Sequence, residues 1–188
     1  MIHPYLSLDK DHVDVSKKIA SMAIMTAAAV STNYLLIGVV NVKLMDLIVF
    51  TGGYLYGSLF GSGLGFMIWL VYGTLNPYGF SFPTLVATSL SETIYGIFGN
   101  IYRIHIEGGD GLSSSLKLGI LGFLLTFVYD LVTNIFTAFV IGIPIPAALI
   151  AGIPFSIIHE ISNALFFAIG FPPLIQALRI NQVVKNIE

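Results

Sequence analysis

Two polar clusters interrupt the long apolar stretch of residues 123–167. The first contains Asp130 and Asn134, and the second contains His159, Glu160 and Asn163. A carboxylate or amide in apolar surroundings costs several kcal/mol unless it finds a partner or a polar cavity. A Gly- and Pro-rich turn separates the clusters, so two neighbouring elements would bring them together. These residues are therefore candidates for a functional site.

The spacing of these residues excludes several reactions. A zinc protease motif that begins at His159-Glu160 needs a second histidine four residues after the first, and that position is Asn163. A phosphate-binding loop, a Gly-x-Ser-x-Gly elbow and paired aspartates for a magnesium diphosphate are absent from the sequence, and it contains no cysteine. We predict no catalytic residue, no cofactor and no metal site. A cation held by Glu92, Asp130 and Glu160 stays an alternative.

The remaining chemistry is that of ligand binding. Carboxylates, amides, hydroxyls and aromatic rings, with no lysine or arginine inside the membrane, suit a small ligand that donates hydrogen bonds or carries positive charge. The structural alternatives are that His159 only pairs with a carboxylate and that Asn163 only joins helices. The predicted substrate-binding residues are Glu92, Tyr95, Asp130, Asn134, His159, Glu160, Asn163 and Tyr78.

The composition predicts what surrounds these residues. The chain has 188 residues, of which 56% are hydrophobic and 10% charged. Its mean hydropathy is +0.89, whereas soluble domains are about one-quarter charged. This predicts an all-α integral membrane protein that crosses the cell membrane several times and contacts the lipid bilayer directly. The net charge of −2 and the lack of basic runs argue against a nucleic-acid partner.

Counting positive charges predicts a compact bundle of six transmembrane helices. The spans cover about residues 19–40, a hairpin over 44–75 that turns at Gly61-Ser62-Gly63, and residues 83–102, 117–141 and 146–175. Six spans leave seven of the eight Lys and Arg residues on one side, with Lys43 opposite, whereas five spans divide them three against five. The positive-inside rule favours six spans, with both termini in the cytoplasm. The domains are a cytoplasmic segment, residues 1–16, the transmembrane bundle, 17–178, and a cytoplasmic tail, 179–188.

Helical spacing predicts which faces turn inward. Spans four to six each carry a polar stripe. The direction in which each span crosses the membrane places these stripes near the midplane or in the outer half, so we expect their cavity to open outside. In the first span, Ala23, Ala27 and Ser31 recur every four residues on one face. Such a face suits close approach of another helix. Packing within the bundle and docking of a separate partner both remain open.

An ordered set of motifs resembles a known family. The motifs are Ala23-x-x-x-Ala27, Asn41-Val42-Lys43-Leu44-Met45-Asp46-Leu47, Tyr56-Gly57-x-x-x-Gly61-x-x-x-Gly65, Asp130-x-x-Thr133-Asn134, Asn163-Ala164-Leu165 and Gly170-Phe171-Pro172-Pro173-Leu174. From the first span onward the chain resembles the substrate-binding S component of energy-coupling factor (ECF) transporters. These are small six-helix membrane proteins that capture vitamins and related compounds in prokaryotes.

The resemblance implies a substrate-capture subunit that binds a vitamin-like molecule from outside. Its partners would be a transmembrane coupling subunit and two cytoplasmic ATPases, with Ala23 and Ala27 facing the coupling subunit, and ATP hydrolysis would occur in those partners. Cobalt or nickel transport is disfavoured, because Ile2 separates His3 from the initiating methionine. A cationic or amine-bearing heterocycle such as thiamine or its pyrimidine precursor fits the carboxylates, but the paired tryptophans expected for thiamine stacking are missing, because Trp69 is the only tryptophan. Riboflavin, pyridoxine, cobalamin and queuosine-type ligands remain open.

Two functions from other classes remain as alternatives. An autonomous ion-coupled carrier or channel would relay protons through Glu92, Asp130 and Glu160 and would need no ATPase. An intramembrane enzyme would turn over a lipid or isoprenoid substrate and would depend on Asp130 or His159.

Overall fold

A computed structural model describes residues 15–77, 79–106 and 112–177. These residues form six α-helices and contain no strand. The predicted all-helical fold class is therefore confirmed. The candidate ligand residue Tyr78 and the predicted tail, residues 179–188, lie outside the described residues, as does all but the end of the predicted segment 1–16.

The helices follow one another with short connections. Two π-helical turns extend them, at Tyr102–Ile106 after the fourth helix and at Phe166–Gly170 after the sixth, which then continues to residue 177. The helices are α1 Val15–Leu35, α2 Met45–Tyr56, α3 Ser58–Thr74, α4 Phe82–Ile101, α5 Leu112–Ile141 and α6 Ile145–Leu165.

The hairpin of α2 and α3 turns at Gly57, and the predicted turn at Gly61-Ser62-Gly63 is wrong. Gly57 has φ +97° and ψ 167°, a conformation that only glycine adopts readily. Its N–H still donates to the Gly53 carbonyl, 2.9 Å away, and α3 begins at the next residue. A one-residue turn is possible because the required backbone geometry is available there, whereas Gly61 lies inside a helix.

Gly61 has a packing role instead. A Cβ atom on Gly61 would lie 2.6 Å from the Cα atoms of Gly53 and Gly96, and one on Gly53 would lie 1.9 Å from the Gly96 carbonyl oxygen. The backbones of α2, α3 and α4 therefore meet at a three-glycine contact, defined as Gly53, Gly61 and Gly96. This contact sets the distances between the three helices.

The first helix ends five residues earlier than predicted, because α1 covers Val15–Leu35 and residues 36–44 connect it to α2. Asn41 has φ +54°, and its Nδ2 donates to the Phe155 carbonyl on α6 at 3.0 Å. The inward face of α1 carries buried residues such as Asn33, whereas Ala23 and Ala27 are exposed. Packing of those alanines within the bundle is therefore not found among the described residues.

Two helices are long and apolar enough to cross a membrane. They are Leu112–Ile141 and Ile145–Ala177, and only 28% and 17% of their most apolar windows are buried inside the protein. The core helix of a soluble protein is mostly buried, so these helices present apolar side chains outward. α2 and α3 have 12 and 17 residues, about 18 and 26 Å at 1.5 Å per residue.

Candidate functional site

The predicted inward orientation of the polar stripes on α4, α5 and α6 is confirmed. α5 packs against both α4 and α6 along their polar faces, and small residues between the polar ones allow close packing. Their buried polar residues are Thr88, Ser89, Glu92 and Tyr95 on α4, Thr126 and Asp130 on α5, and His159, Glu160 and Asn163 on α6.

His159 lies at the centre of the site and bridges two carboxylates. Its Nε2 is 2.8 Å from Asp46 Oδ2 on α2, and its Nδ1 is 3.0 Å from Asp130 Oδ1 on α5. The histidine is 1% exposed. A neutral imidazole carries one N–H, so two hydrogen bonds require an imidazolium or a proton on one carboxyl group. The arrangement can therefore hold or exchange a proton.

A chain of hydrogen bonds extends from Asp46 into the bundle. Asn163 donates to Asp46 Oδ2 and to Thr126 Oγ1, the latter at 2.7 Å. The Tyr95 hydroxyl donates to the same threonine oxygen at 3.0 Å, and the Thr126 hydroxyl donates to the Gly122 carbonyl at 2.8 Å. The side-chain bonds each connect a different pair of helices, and the last bond ends at a backbone carbonyl. The two bonds that Asn163 donates fix the orientation of its side chain.

Glu92 is the third carboxylate of the site. It is fully buried and accepts a hydrogen bond from Trp69 Nε1 on α3 at 3.0 Å, and its carboxyl group also interacts with that of Asp46. The Lys43 ammonium lies over the Trp69 ring, 5.2 Å from its centroid. A cation within about 6 Å of an indole ring is attracted by its π electrons. This half-buried lysine is therefore the basic residue that borders the site.

We define the acidic cluster as Asp46, Glu92, Asp130, His159 and Asn163. Four of its acceptor oxygens are buried and have no hydrogen-bond partner among the described residues. They are Asp46 Oδ1, Glu92 Oε1, Asp130 Oδ2 and Asn163 Oδ1. Unsatisfied buried acceptors are expensive, so the cluster is short of donors. A proton shared by the interacting Asp46 and Glu92 carboxyl groups would meet part of this need.

The predicted ligand residues divide into two groups. Glu92, Tyr95, His159 and Asn163 belong to the buried interior, whereas Asn134 and Glu160 line a groove of about 340 Å³ between α5 and α6. Asp130 contributes to both, since one oxygen contacts His159 and its side chain also lines the groove. We call this second feature the α5–α6 groove.

Sequence reasoning missed two members of the site. The sequence indicates Asp46 only as part of a motif and Trp69 only as the single tryptophan of the chain. Asp46 is the only acidic residue in the apolar segment 44–75, and an isolated carboxylate in such a segment is the signal that would have identified it. Nothing local indicates that Trp69 meets Glu92, because 23 residues separate them.

The alternative of a cation held by Glu92, Asp130 and Glu160 is not supported by this geometry. Glu92 lies in the acidic cluster and Glu160 in the α5–α6 groove. In the part of the chain that the structure describes, no group of three or more His, Cys, Asp or Glu side chains is arranged to hold a metal ion.

Comparisons with models of known protein families, with curated proteins and with solved structures find no match for this chain.

Proposed function

We propose that this chain is the substrate-capture subunit of an ATP-driven importer of the ECF type. It would bind a vitamin-like small organic molecule from the extracellular side at the acidic cluster. No catalytic step is assigned to the chain, because the energy would come from ATP hydrolysis in partner subunits.

Support for a multi-pass position in the cell membrane comes from the outer surface of the helices. Large apolar side chains are exposed on other helices as well as on α5 and α6. Examples are Leu35 on α1, at 83%, and Leu59 on α3, at 90%. Soluble proteins rarely expose contiguous apolar surface on this scale. A bilayer would cover it, with most of α2 buried inside the bundle.

The observation that carries the proposed ligand chemistry is the set of four unpartnered buried acceptors. The carboxyl groups of Asp46 and Asp130 contact the imidazole, and that of Glu92 interacts with Asp46, so the cluster has more carboxyl groups than cations and too few donors. A ligand that brings N–H donors and a positive charge would satisfy these oxygens, whereas an anionic ligand would add repulsion. Trp69 also favours a cationic ligand, since its ring already makes a cation–π contact with the Lys43 ammonium.

The proposed partners are a transmembrane coupling subunit and two cytoplasmic ATPase subunits. Support comes from α1, on which Ala23 and Ala27 are exposed instead of packing inside the bundle. Small residues allow another helix to approach closely. Ala27→Leu should therefore weaken co-purification with a coupling subunit and leave ligand binding intact. Unchanged association in both Ala27→Leu and Ala23→Leu would remove this surface from the proposal.

Native mass spectrometry of the gently purified chain tests ligand capture. We expect a stoichiometric organic adduct that carries a basic nitrogen, either retained from the cell or acquired from a panel of vitamins. Glu92→Gln should weaken its retention, because the carboxylate charge is lost. Thr93→Val is the matched control, since the Thr93 hydroxyl bonds only to its own helix, at the Leu90 carbonyl. A bare protein under all conditions would overturn capture.

An autonomous ion-coupled carrier is the second candidate, and one observation favours it. His159 contacts Asp46 and Asp130 on opposite ring nitrogens, so a proton taken up at one carboxylate could leave from the other. Proton-driven uptake into vesicles that contain this chain alone would establish that function. Uptake that requires ATP and partner subunits would exclude it.

A further inference from the structure

The α5–α6 groove has an amphipathic wall. Its polar side chains are Asp130, Asn134, Ser156 and Glu160, and Asn134 Nδ2 lies 3.5 Å from Ser156 Oγ. The rest of the wall is apolar, and its members are Phe127, Leu131, Leu149, Ile153 and Ile157. Its volume of about 340 Å³ suits a small molecule, since ligand pockets begin at about 300 Å³.

Two carboxyl groups in this wall lack partners. Glu160 is 8% exposed and makes no hydrogen bond within the described residues, and Asp130 Oδ2 is buried without a donor. No Lys, Arg or His is found among the described residues that line the groove. The Glu160 oxygens are not among the fully buried unpartnered atoms, so a ligand in the groove can reach this carboxyl group and supply the missing donor or positive charge.

The groove also lies at membrane depth. It runs between α5 and α6, the two helices that are apolar enough to cross a bilayer. Asp130 is 11 residues from the end of α5 at Ile141, and Glu160 is 15 residues from the start of α6 at Ile145. These spacings correspond to about 16 and 22 Å along the helices. A bilayer core is about 30 Å thick, so both carboxyl groups would lie at the depth of the hydrocarbon.

We propose that the α5–α6 groove is a second binding site, for a small amphipathic amine that enters from the hydrocarbon side. The amine arrives uncharged and takes the proton of the Glu160 carboxyl group, so that an ammonium–carboxylate pair forms. Asn134 Oδ1 accepts another of its N–H bonds, and its apolar part packs against Phe127 and Ile153. A metal ion is not favoured, because no group of three or more His, Cys, Asp or Glu side chains among the described residues is arranged to hold one.

This site goes beyond the proposed capture function, because the acidic cluster and the groove face different sides of α5 and α6. Asp130 alone belongs to both. The test therefore uses the isolated chain in nanodiscs, without a vitamin, a coupling subunit or ATP. Because the proposed captured ligand is also an amine, Glu160→Gln and Ile153→Trp assign the binding: both residues line the groove and lie outside the acidic cluster, so failure of the groove site and failure of capture are distinguishable.

The experiment is calorimetric titration of this chain in nanodiscs with 4-phenylbutylamine, against 4-phenylbutan-1-ol as the uncharged analogue and empty nanodiscs as the blank. The amine should bind at least tenfold more tightly than the alcohol, because only the amine forms the charge-assisted contact. Glu160→Gln should weaken amine binding about tenfold and leave the alcohol unchanged. Equal affinity for amine and alcohol would overturn the proposal.

A second groove provides the matched control for position. It lies between α4 and α5, has a volume of about 270 Å³ and is lined by Leu90, Ser91, Ile94, Val128, Tyr129 and Val132, with no carboxylate. Ile153→Trp fills the α5–α6 groove, and Val132→Trp fills the control groove. Both residues are about half exposed, at 50% and 47%, so both variants should fold. Only Ile153→Trp should abolish amine binding, and binding that survives it would refute the site.

Discussion

Gly96→Ala should separate α4 from the α2–α3 hairpin and so dismantle part of the acidic cluster. A Cβ atom at this position would lie 2.2 Å from the Gly61 carbonyl carbon and 2.4 Å from the Ser62 backbone nitrogen. Both neighbours are backbone atoms that cannot rotate away. An ordinary van der Waals contact begins at 3.4 Å, so the helices must move apart by about 1.2 Å.

The size of the effect follows from two opposing terms. Overpacking by one methyl group costs about 1–3 kcal/mol, and the rigid backbone neighbours favour the upper end. Replacing a helical glycine with alanine stabilises by about 1 kcal/mol. The net loss is about 2 kcal/mol, which lowers the Tm of a chain of this size by about 4–8 °C. The matched control is Gly63→Ala on α3, whose Cβ would meet only Met22 Cε at 3.6 Å and which should be slightly stabilised.

Trp69 provides the assay, because it is the only tryptophan in the chain and donates to Glu92 on α4 at 3.0 Å. A shift of about 1.2 Å would stretch this contact beyond hydrogen-bond range. Gly96→Ala should therefore change the intrinsic fluorescence spectrum of the folded protein as well as its thermal midpoint. The reasoning is refuted if Gly96→Ala and Gly63→Ala have the same midpoint and the same spectrum.

Three further predictions follow from particular contacts. Gly57→Ala should destabilise by about 1–3 kcal/mol, because φ is +97° there, whereas Gly38→Ala, which has nothing within 4 Å, should be close to neutral in thermal unfolding. Thr126→Val leaves two buried donors without their acceptor and should cost about 2 kcal/mol or more, whereas Thr126→Ser should retain most of that stability. If the captured ligand is a cation, Lys43→Met should strengthen its binding about two- to fivefold by removing a competing charge near Trp69. Equilibrium titration in detergent measures the affinity for this cation, with Lys43→Arg as the charge-retaining control.

The inward polar faces were predictable from residue spacing alone. Glu92 and Tyr95, and separately His159 and Asn163, lie three or four residues apart in apolar helices, so each pair shares one face. A helix in apolar surroundings must turn such a face toward its neighbours. For this reason the orientation of these helices needed no tertiary information.

The position of the hairpin turn was not predictable in the same way. Gly57 and Gly61 have equal local potential to form a turn, and both belong to the same four-residue repeat of glycines. Gly61 is needed inside a helix because the backbones of Gly53 and Gly96 approach it closely. That requirement comes from two other helices, so it is absent from the local sequence.

The amino-acid sequence by itself determined that this chain is helical and apolar and that its few polar side chains face inward, because hydropathy and helical periodicity are local properties. Only the tertiary structure decided which polar groups meet. Asp46 contacts His159 across 113 positions of the chain, and Glu160 turns to the α5–α6 groove while its neighbour His159 turns to the acidic cluster. Such pairings depend on the rotation and depth of each helix, which close contacts between helix backbones set.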